Sequence, residues 1–201
     1  MIYRSAFIYR SLMKTLYGSG FENRYEAVAR EIPDGAEVLD LCCGDARIYT
    51  NYLKQKGVNY LGMDASSGFL RNAVRHSVAF KVWRMSQDEI PEADYIVMMA
   101  SLYQFHDQAP ETLKLLLKRA RKKLILTEPI VNMAQSQNPL FSKFARMLTS
   151  SQKRFNENSI QSLIESQKQA VEKTEKIANG REMLIVFNPR KTPNPLPQQA
   201  F

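Results

Sequence analysis

Cysteine, histidine and tryptophan are scarce in this chain: two, two and one among 201 residues. The two cysteines are neighbours, Cys42 and Cys43, and neighbours make poor disulfide partners. A disulfide framework is therefore not expected, and a reducing, cytoplasmic setting is. With so few histidines and no Cys-x-x-Cys pair, the usual intrinsic metal sites are not expected either. No apolar run approaches the length of a membrane helix. The first residues lack the uninterrupted apolar core and small-residue cleavage site of a secretory signal. Acidic residues are missing from residues 1–20, which carry Arg4, Arg10 and Lys14.

Apolar residues make up 44% of the chain, enough to bury a core at this length, so a single domain over 1–189 is expected. The formal net charge is +8, with Lys and Arg spread along the chain rather than gathered in one block. That distribution reads as a solvated basic surface; a nucleic-acid partner is not favoured, because no nucleic-acid module accompanies the charge.

Periodicity organises the chain as alternating strands and helices. Two helices open it, one within residues 1–20 and one from about Glu22 to Glu31. Residues 1–35 are candidates for a lid, or the first helix for contact with a membrane surface. Strands are predicted at Glu37–Leu41, Asn59–Met63, Val78–Trp83, Asp94–Ala100 and Lys123–Thr127. Helices fall between them, over Arg47–Lys56, after Ser66 or Ser67 with Leu70, Ala73 and Val74 inward, and over Ala109–Arg121. Such alternation means an α/β domain with a mostly parallel sheet. The end of the chain breaks the pattern. A helix over Asn158–Gln167 precedes two strand-like runs, Val171–Ile177 and Arg181–Phe187, which flank Asn179-Gly180, a strong hairpin signal. Residues 130–155 are long for a simple connection and read as a cap insertion; the proline-rich residues 190–201 read as a disordered tail.

Everything else can be read as support for one stretch, AEVLDLCCGDAR from Ala36 to Arg47. It is a buried strand running into a tight turn with small residues at alternate positions, Cys42, Gly44 and Ala46. A ligand can approach such a backbone closely, and the following helix points its free N–H groups at the turn. In an open α/β sheet, ligands sit beyond the carboxyl ends of the strands. Asp64, at the end of the second strand, is placed there to accept the hydroxyls of an adenosine ribose. Dinucleotide enzymes would want a third glycine where Arg47 stands. A small-x-Gly-x-small turn suits S-adenosylmethionine instead.

At this point the chain resembles the class I S-adenosylmethionine-dependent methyltransferases, in particular those acting on small molecules. VLDLCCGDARIYTNYL looks like their first motif, YLGMDASSGFL like their second strand and acidic residue, DYIVMMASLYQFHD like the fourth strand, LILTEPI like the fifth, and RFNENSIQSLIES like a late helix start. The resemblance covers about residues 22–187. It implies a Rossmann-like, mostly parallel seven-stranded sheet with helices on both faces and a C-terminal antiparallel hairpin. It also implies an enzyme that moves a methyl group to O or N of a small molecule, with S-adenosylmethionine as cofactor and S-adenosylhomocysteine as product. The alternatives are an RNA or protein methyltransferase, a non-catalytic S-adenosylmethionine-binding protein, and a nicotinamide dinucleotide oxidoreductase.

The same resemblance distributes the roles. The backbone of Cys42, Cys43 and Gly44 would hold the methionine moiety, with Asp40 behind them; Asp64 would hold the ribose and Ala65 pack on the adenine. Met85, Ser86 and Gln87 would meet the adenine edge, although the acidic residue common there is found only at Asp88 and Glu89. Ala100, Ser101 and Tyr103 would line the methionine side, and Tyr17, Arg24 and Tyr25 would close the pocket from the N-terminal side. Tyr103, Phe105, Phe141 and Phe144 are candidates for an apolar acceptor pocket. His106 is the histidine near that pocket, a candidate general base or an ordinary helix-start residue. The departures are Cys42 and Ala46, which stand where the family has glycine.

Overall fold

In the computed structural model the described residues are 11, 14–15, 17–69, 76–85, 87–130 and 155–191. The expectations for most of residues 1–20, for Leu70, Ala73 and Val74, for Ser86, for the cap with Phe141 and Phe144, and for residues 192–201 lie outside them. The strands are β1 (Glu37–Leu41), β2 (Asn59–Asp64), β3 (Phe80–Val82), β4 (Ala93–Met99), β5 (Ala120–Pro129), β6 (Val171–Ile177) and β7 (Glu182–Phe187). The main helices are α1 (Gly20–Arg30), α2 (Ala109–Arg119) and α3 (Glu157–Ser166).

All seven strands join one sheet in the order β3-β2-β1-β4-β5-β7-β6. β1 pairs in parallel with both β2 and β4. The chain therefore runs outward from β1 to β3 and returns on the other side of β1, which makes a switch point between β1 and β4. β7 pairs antiparallel with β6, as the Asn179-Gly180 signal predicts, and also antiparallel with β5. Its turn is a four-residue loop between the paired Ile177 and Glu182, with left-handed φ at Ala178, Asn179 and Gly180.

Side chains alternate between two cores. Val38, Tyr95, Val97, Ile125, Leu184 and Val186 face α1. Leu39, Ile96, Met98, Leu124, Leu126 and Ile185 face α2 and α3. Helices thus cover both faces. α2 buries Leu113 and Leu116 completely, and truncating either to alanine is expected to cost about 2–5 kcal/mol. α3 starts at a capping box: Ser159 N–H donates to Asn156 Oδ1 at 2.8 Å while Asn156 N–H donates to Ser159 Oγ at 3.0 Å.

Most element ends shift by one or two residues from the sequence expectation, and three elements differ in length or winding. β3 is shorter, because it is an edge strand with a single neighbour, β2. β5 is longer at both ends, because it has β4 on one side and β7, paired as far as Pro129, on the other. The helix after β1 is not a regular α-helix: it winds as a π turn over Tyr49–Leu53 and a 3-10 turn over Lys54–Lys56. Aromatic and β-branched residues are modest helix formers. Here Tyr49 stacks on Tyr60 at 4.4 Å and Tyr52 on Tyr25 at 6.1 Å, so tertiary contacts set the winding. None of the described helices is long and apolar enough to cross a membrane.

Candidate functional site at the carboxyl edge of the sheet

The ends of β1, β2 and β4 open onto a cavity of about 480 Å³. The turn after β1 forms its floor. Cys42, Gly44 and Ala46 adopt φ of +57°, +56° and +54°, so every second residue is left-handed. Only glycine does this without cost; an L side chain there loses roughly 1–2 kcal/mol. The turn is tied down next to β2, where Cys43 N–H donates to Met63 O at 3.2 Å. Gly62 makes this approach possible, since a Cβ on it would lie 2.8 Å from Cys43 Sγ.

Asp64 closes the β2 side. Its Oδ2 accepts Gly44 N–H at 2.9 Å and its Oδ1 accepts Ser66 N–H at 2.8 Å. A carboxylate has about four acceptor positions, so Asp64 keeps capacity toward the cavity. Burial pushes its pKa up, against the two backbone N–H groups that favour the charged form. Asp40 lies deeper and is buried. Desolvation raises its carboxyl to about 7, opposed by the Tyr60 hydroxyl, which donates to Oδ2 at 2.7 Å. Burial likewise pushes the Cys42 thiol up to about 12 and Cys43 well above its usual value. Both thiols are neutral near pH 7 and are not activated nucleophiles.

The β4 side has a different construction. Ala100 has φ of +47° and its N–H donates to Thr127 O at 2.6 Å. Behind it lies Glu128, fully buried on β5. Glu128 Oε1 accepts N–H from Ser101 at 3.0 Å and Leu102 at 2.7 Å, and Oε2 accepts N–H from Tyr103 at 3.2 Å. Burial raises the Glu128 carboxyl to about 8, and the three N–H donors hold it back from going further.

α1 supplies the remaining wall. Arg24 is buried, pairs with Glu182 of β7 at 3.2 Å, and has its guanidinium over the Tyr17 and Tyr25 rings at 5.1 and 5.3 Å from their centroids. Arg47 pairs with Glu22 and lies over Phe21 and Tyr25. Glu22 also accepts the Tyr52 hydroxyl at 2.7 Å, which joins α1 to the helix after β1.

Most residues predicted for the site meet here. Asp40, Cys42, Cys43 and Gly44 line the cavity floor, with Asp64 and Ala65 on one side. Ala100, Ser101, Tyr103 and Phe105 line the other side, and Arg24, Tyr25 and Met85 complete the wall. Three predicted residues are not brought into the lining. Tyr17 is buried beneath Arg24. Gln87 is exposed on the turn after β3. His106, on the 3-10 segment Leu102–Gln108, has its ring 5.2 Å from that of Phe155 and its Nδ1 3.5 Å from Asp107 Oδ1. Asp88 is occupied locally, since its Oδ2 accepts Arg84 N–H at 2.8 Å.

Sequence reasoning missed Phe69, Trp83 and Asp45, which line the cavity, and Glu128, which holds one wall. Trp83 lies just beyond β3, and its indole N–H reaches the carbonyls of Asp88 and Glu89 at 3.3 and 3.2 Å and closes a turn. Glu128 had one available signal. An acidic residue two positions beyond the apolar run Leu124–Leu126 is still on the buried strand, and a buried polar group needs partners.

A methyltransferase-domain family model matches residues 12–163 of the chain. A search of curated proteins finds no sequence match. Among solved structures, a chain of the Haloferax volcanii complex containing the Trm112 methyltransferase activator superposes with a TM-score of 0.67. It is 15% identical, over 88% of this chain and 93% of the other. Magnesium protoporphyrin IX methyltransferase from Synechocystis PCC 6803, with bound S-adenosylhomocysteine, gives 0.65 at 14% identity over 86% and 85%. The [4+2]-cyclase SpnF gives 0.59 at 15% identity over 79% and 60%, so the fold by itself does not determine the chemistry.

Proposed function

The chain belongs to the methyltransferase-domain family, and from that premise we propose that it transfers a methyl group from S-adenosylmethionine to an oxygen or nitrogen of a small molecule, leaving S-adenosylhomocysteine. The observation that carries this reading is the cavity of about 480 Å³ between the left-handed turn Cys42–Ala46, the Asp64 carboxylate and the wall Ala100–Tyr103. Its volume falls within the usual range for small-molecule sites. Asp64, with acceptor capacity left over after Gly44 and Ser66, suits a pair of ribose hydroxyls. Arg24 gives the far side a cation suited to a carboxylate, and its pairing with Glu182 fixes its direction.

When bound, S-adenosylmethionine supplies a sulfonium methyl that is already activated toward attack. The chain's own task is then to hold two partners in line and to keep water out. The Asp64 carboxylate brings negative charge to the cavity, which favours binding of the cationic donor over its neutral product. Tyr103 and Phe105 offer an apolar surface to an acceptor. A small acceptor is favoured over a polymer because many surface cations are answered locally: Arg121 by Glu37 and Asp94, Lys123 by Glu31 and Glu172, Lys173 by Glu31 and Glu175. His106 would serve as general base only with its ring turned from Phe155 toward the acceptor.

Isothermal calorimetry with S-adenosylhomocysteine tests the donor reading. The wild-type protein is expected to bind it, and Asp64→Ala to bind it about thirtyfold more weakly, the scale of a lost hydrogen bond to a charged group. Absence of binding by the wild type, or unchanged affinity in the variant, would sink the proposal. Binding of a small, weakly charged acceptor should then respond little to salt, whereas RNA binding would fall steeply.

A further inference from the structure

Glu128 is not part of the cavity surface, yet it takes up the backbone of the segment that forms one wall. Its position in the sheet explains how. β5 lies next to β4, and the carboxyl end of β4 turns over it at Ala100. That turn needs a left-handed φ of +47° at a residue that is not glycine. Strain of this kind persists only where the surroundings over-determine the conformation. Here two groups of β5 do so: Thr127 O receives the Ala100 N–H, and the Glu128 carboxyl receives those of Ser101, Leu102 and Tyr103.

We propose that Glu128 is a positioning residue which clamps Ala100–Tyr103 in the shape required to hold the amino-acid end of the methyl donor. The inference rests on the donor reading given above. Sheet order separates the two ends of the ligand. Asp64 stands on β2 and Ala100 follows β4, with β1 between them, so the two walls are two strand spacings apart, roughly 10 Å. A nucleoside anchored at Asp64 then directs whatever its 5′ carbon carries toward the β4 wall. Glu128 acts only on that wall. It reaches the ligand through Ser101 and Tyr103, which line the cavity.

Two probes separate this role from a merely structural one. S-adenosylhomocysteine carries the amino-acid end, whereas 5′-methylthioadenosine has the nucleoside and thioether without it. Glu128→Gln keeps an acceptor oxygen for Ser101 and Leu102 but sets an amide N–H against Tyr103 N–H. It is expected to weaken S-adenosylhomocysteine about tenfold, the scale of one lost hydrogen bond, and to leave methylthioadenosine within twofold. Asp64→Ala should weaken both. In hydrogen exchange the amides of Ser101, Leu102 and Tyr103 should be as slow in the wild type as those of β4, and faster in Glu128→Gln with the rest of the sheet unchanged.

Equal weakening of the two ligands by Glu128→Gln, or no weakening of either, overturns the proposal. So do wild-type amides at 101–103 that exchange like those of an open loop, a measurement that holds even where the variant does not fold. If the wild type binds neither ligand, the donor reading fails and this inference falls with it; if it binds both and the ligand contrast is missing, the donor reading stands and the clamp alone is lost.

Discussion

Asp64 and Glu128 stand at the carboxyl ends of two strands of one sheet, and each accepts backbone N–H groups from the turns around it. Asp64 takes two donors and remains half-open to the cavity. Glu128 takes three and is fully enclosed. The same side-chain chemistry therefore has different consequences on the two sides of the switch point. On the β1–β2 side a carboxylate shapes its loop and still has acceptor positions to offer a ligand. On the β4–β5 side the carboxyl is spent on the backbone, and the ligand meets only what that backbone presents.

The contrast is broken most directly by removing the enclosed partner. Glu128→Ala strips two buried N–H groups and one half-buried N–H group of their acceptor and leaves a void. It should lower the unfolding free energy by about 4 kcal/mol, read from the urea midpoint at constant m-value. A loss below about 1 kcal/mol would place Glu128 in the same class as a surface carboxylate.

A subtler comparison uses pH. Asp40 is raised from 3.8 to about 7 and Glu128 from 4.5 to about 8, and desolvation is the largest cause for both. The folded protein therefore binds more protons than the unfolded chain between these limits. Their stabilising contribution is full below the unfolded values and is lost as pH rises through about 7 and 8. Between pH 5.5 and 8.5 the unfolding free energy read from the urea midpoint should fall by a total on the order of a few kcal/mol. Asp94, Glu172 and Glu175, with lowered values, are ionised in both states across this window and add no slope. Asp40→Asn should flatten the curve up to about pH 7 and Glu128→Gln up to about pH 8. A midpoint that rises with pH would contradict both assignments.

How far the two sides were legible in the sequence follows from the same physics. The β1–β2 side is local: a strand, a small-residue turn and an acidic strand end are written in consecutive residues, and Cys42, Gly44 and Asp64 were all found. The sheet as a whole is also legible, because parallel strands buried on both faces, such as Ala93–Met99, carry long apolar runs, here Ile96–Met99. What could not be read depends on contacts between distant segments. Glu128 meets Leu102 across 26 positions, and Arg24 meets Glu182 from the opposite end of the chain. The sequence distance of His106 from β4 points to the pocket, but a 3-10 segment sets its ring against Phe155 instead. The π and 3-10 winding after β1 was hidden for a similar reason, since the stacking of Tyr49 and Tyr52 on other elements sets it.

Asp64→Ala attacks the other side and should register in binding more than in folding. About 2 kcal/mol of affinity for S-adenosylhomocysteine should disappear, the thirtyfold change already given, while the urea midpoint moves less than in Glu128→Ala. If Asp64→Ala proves the more destabilising of the two, Asp64 is a structural tie like Glu128 and the proposed division of roles is reversed.

The smallest expected effect concerns the turn itself. Cys42 and Gly44 have nearly the same φ, +57° and +56°, but only one of them is glycine. Cys42→Gly removes a left-handed penalty of roughly 1–2 kcal/mol and adds about 0.5–1 kcal/mol of backbone entropy cost. The half-buried side chain forfeits part of the remainder, so a gain of about 0.5 kcal/mol is expected. Gly44→Ala runs the opposite way. A Cβ there would find Phe69 at an ordinary 3.9 Å, so nothing clashes, and the loss should be the conformational penalty alone, about 1 kcal/mol. Opposite signs at equal φ would show that the turn on the β1 side keeps its shape against local strain, as Ala100 does on the β4 side. Equal signs would mean that the Cys42 side chain contributes more through its packing than its backbone costs.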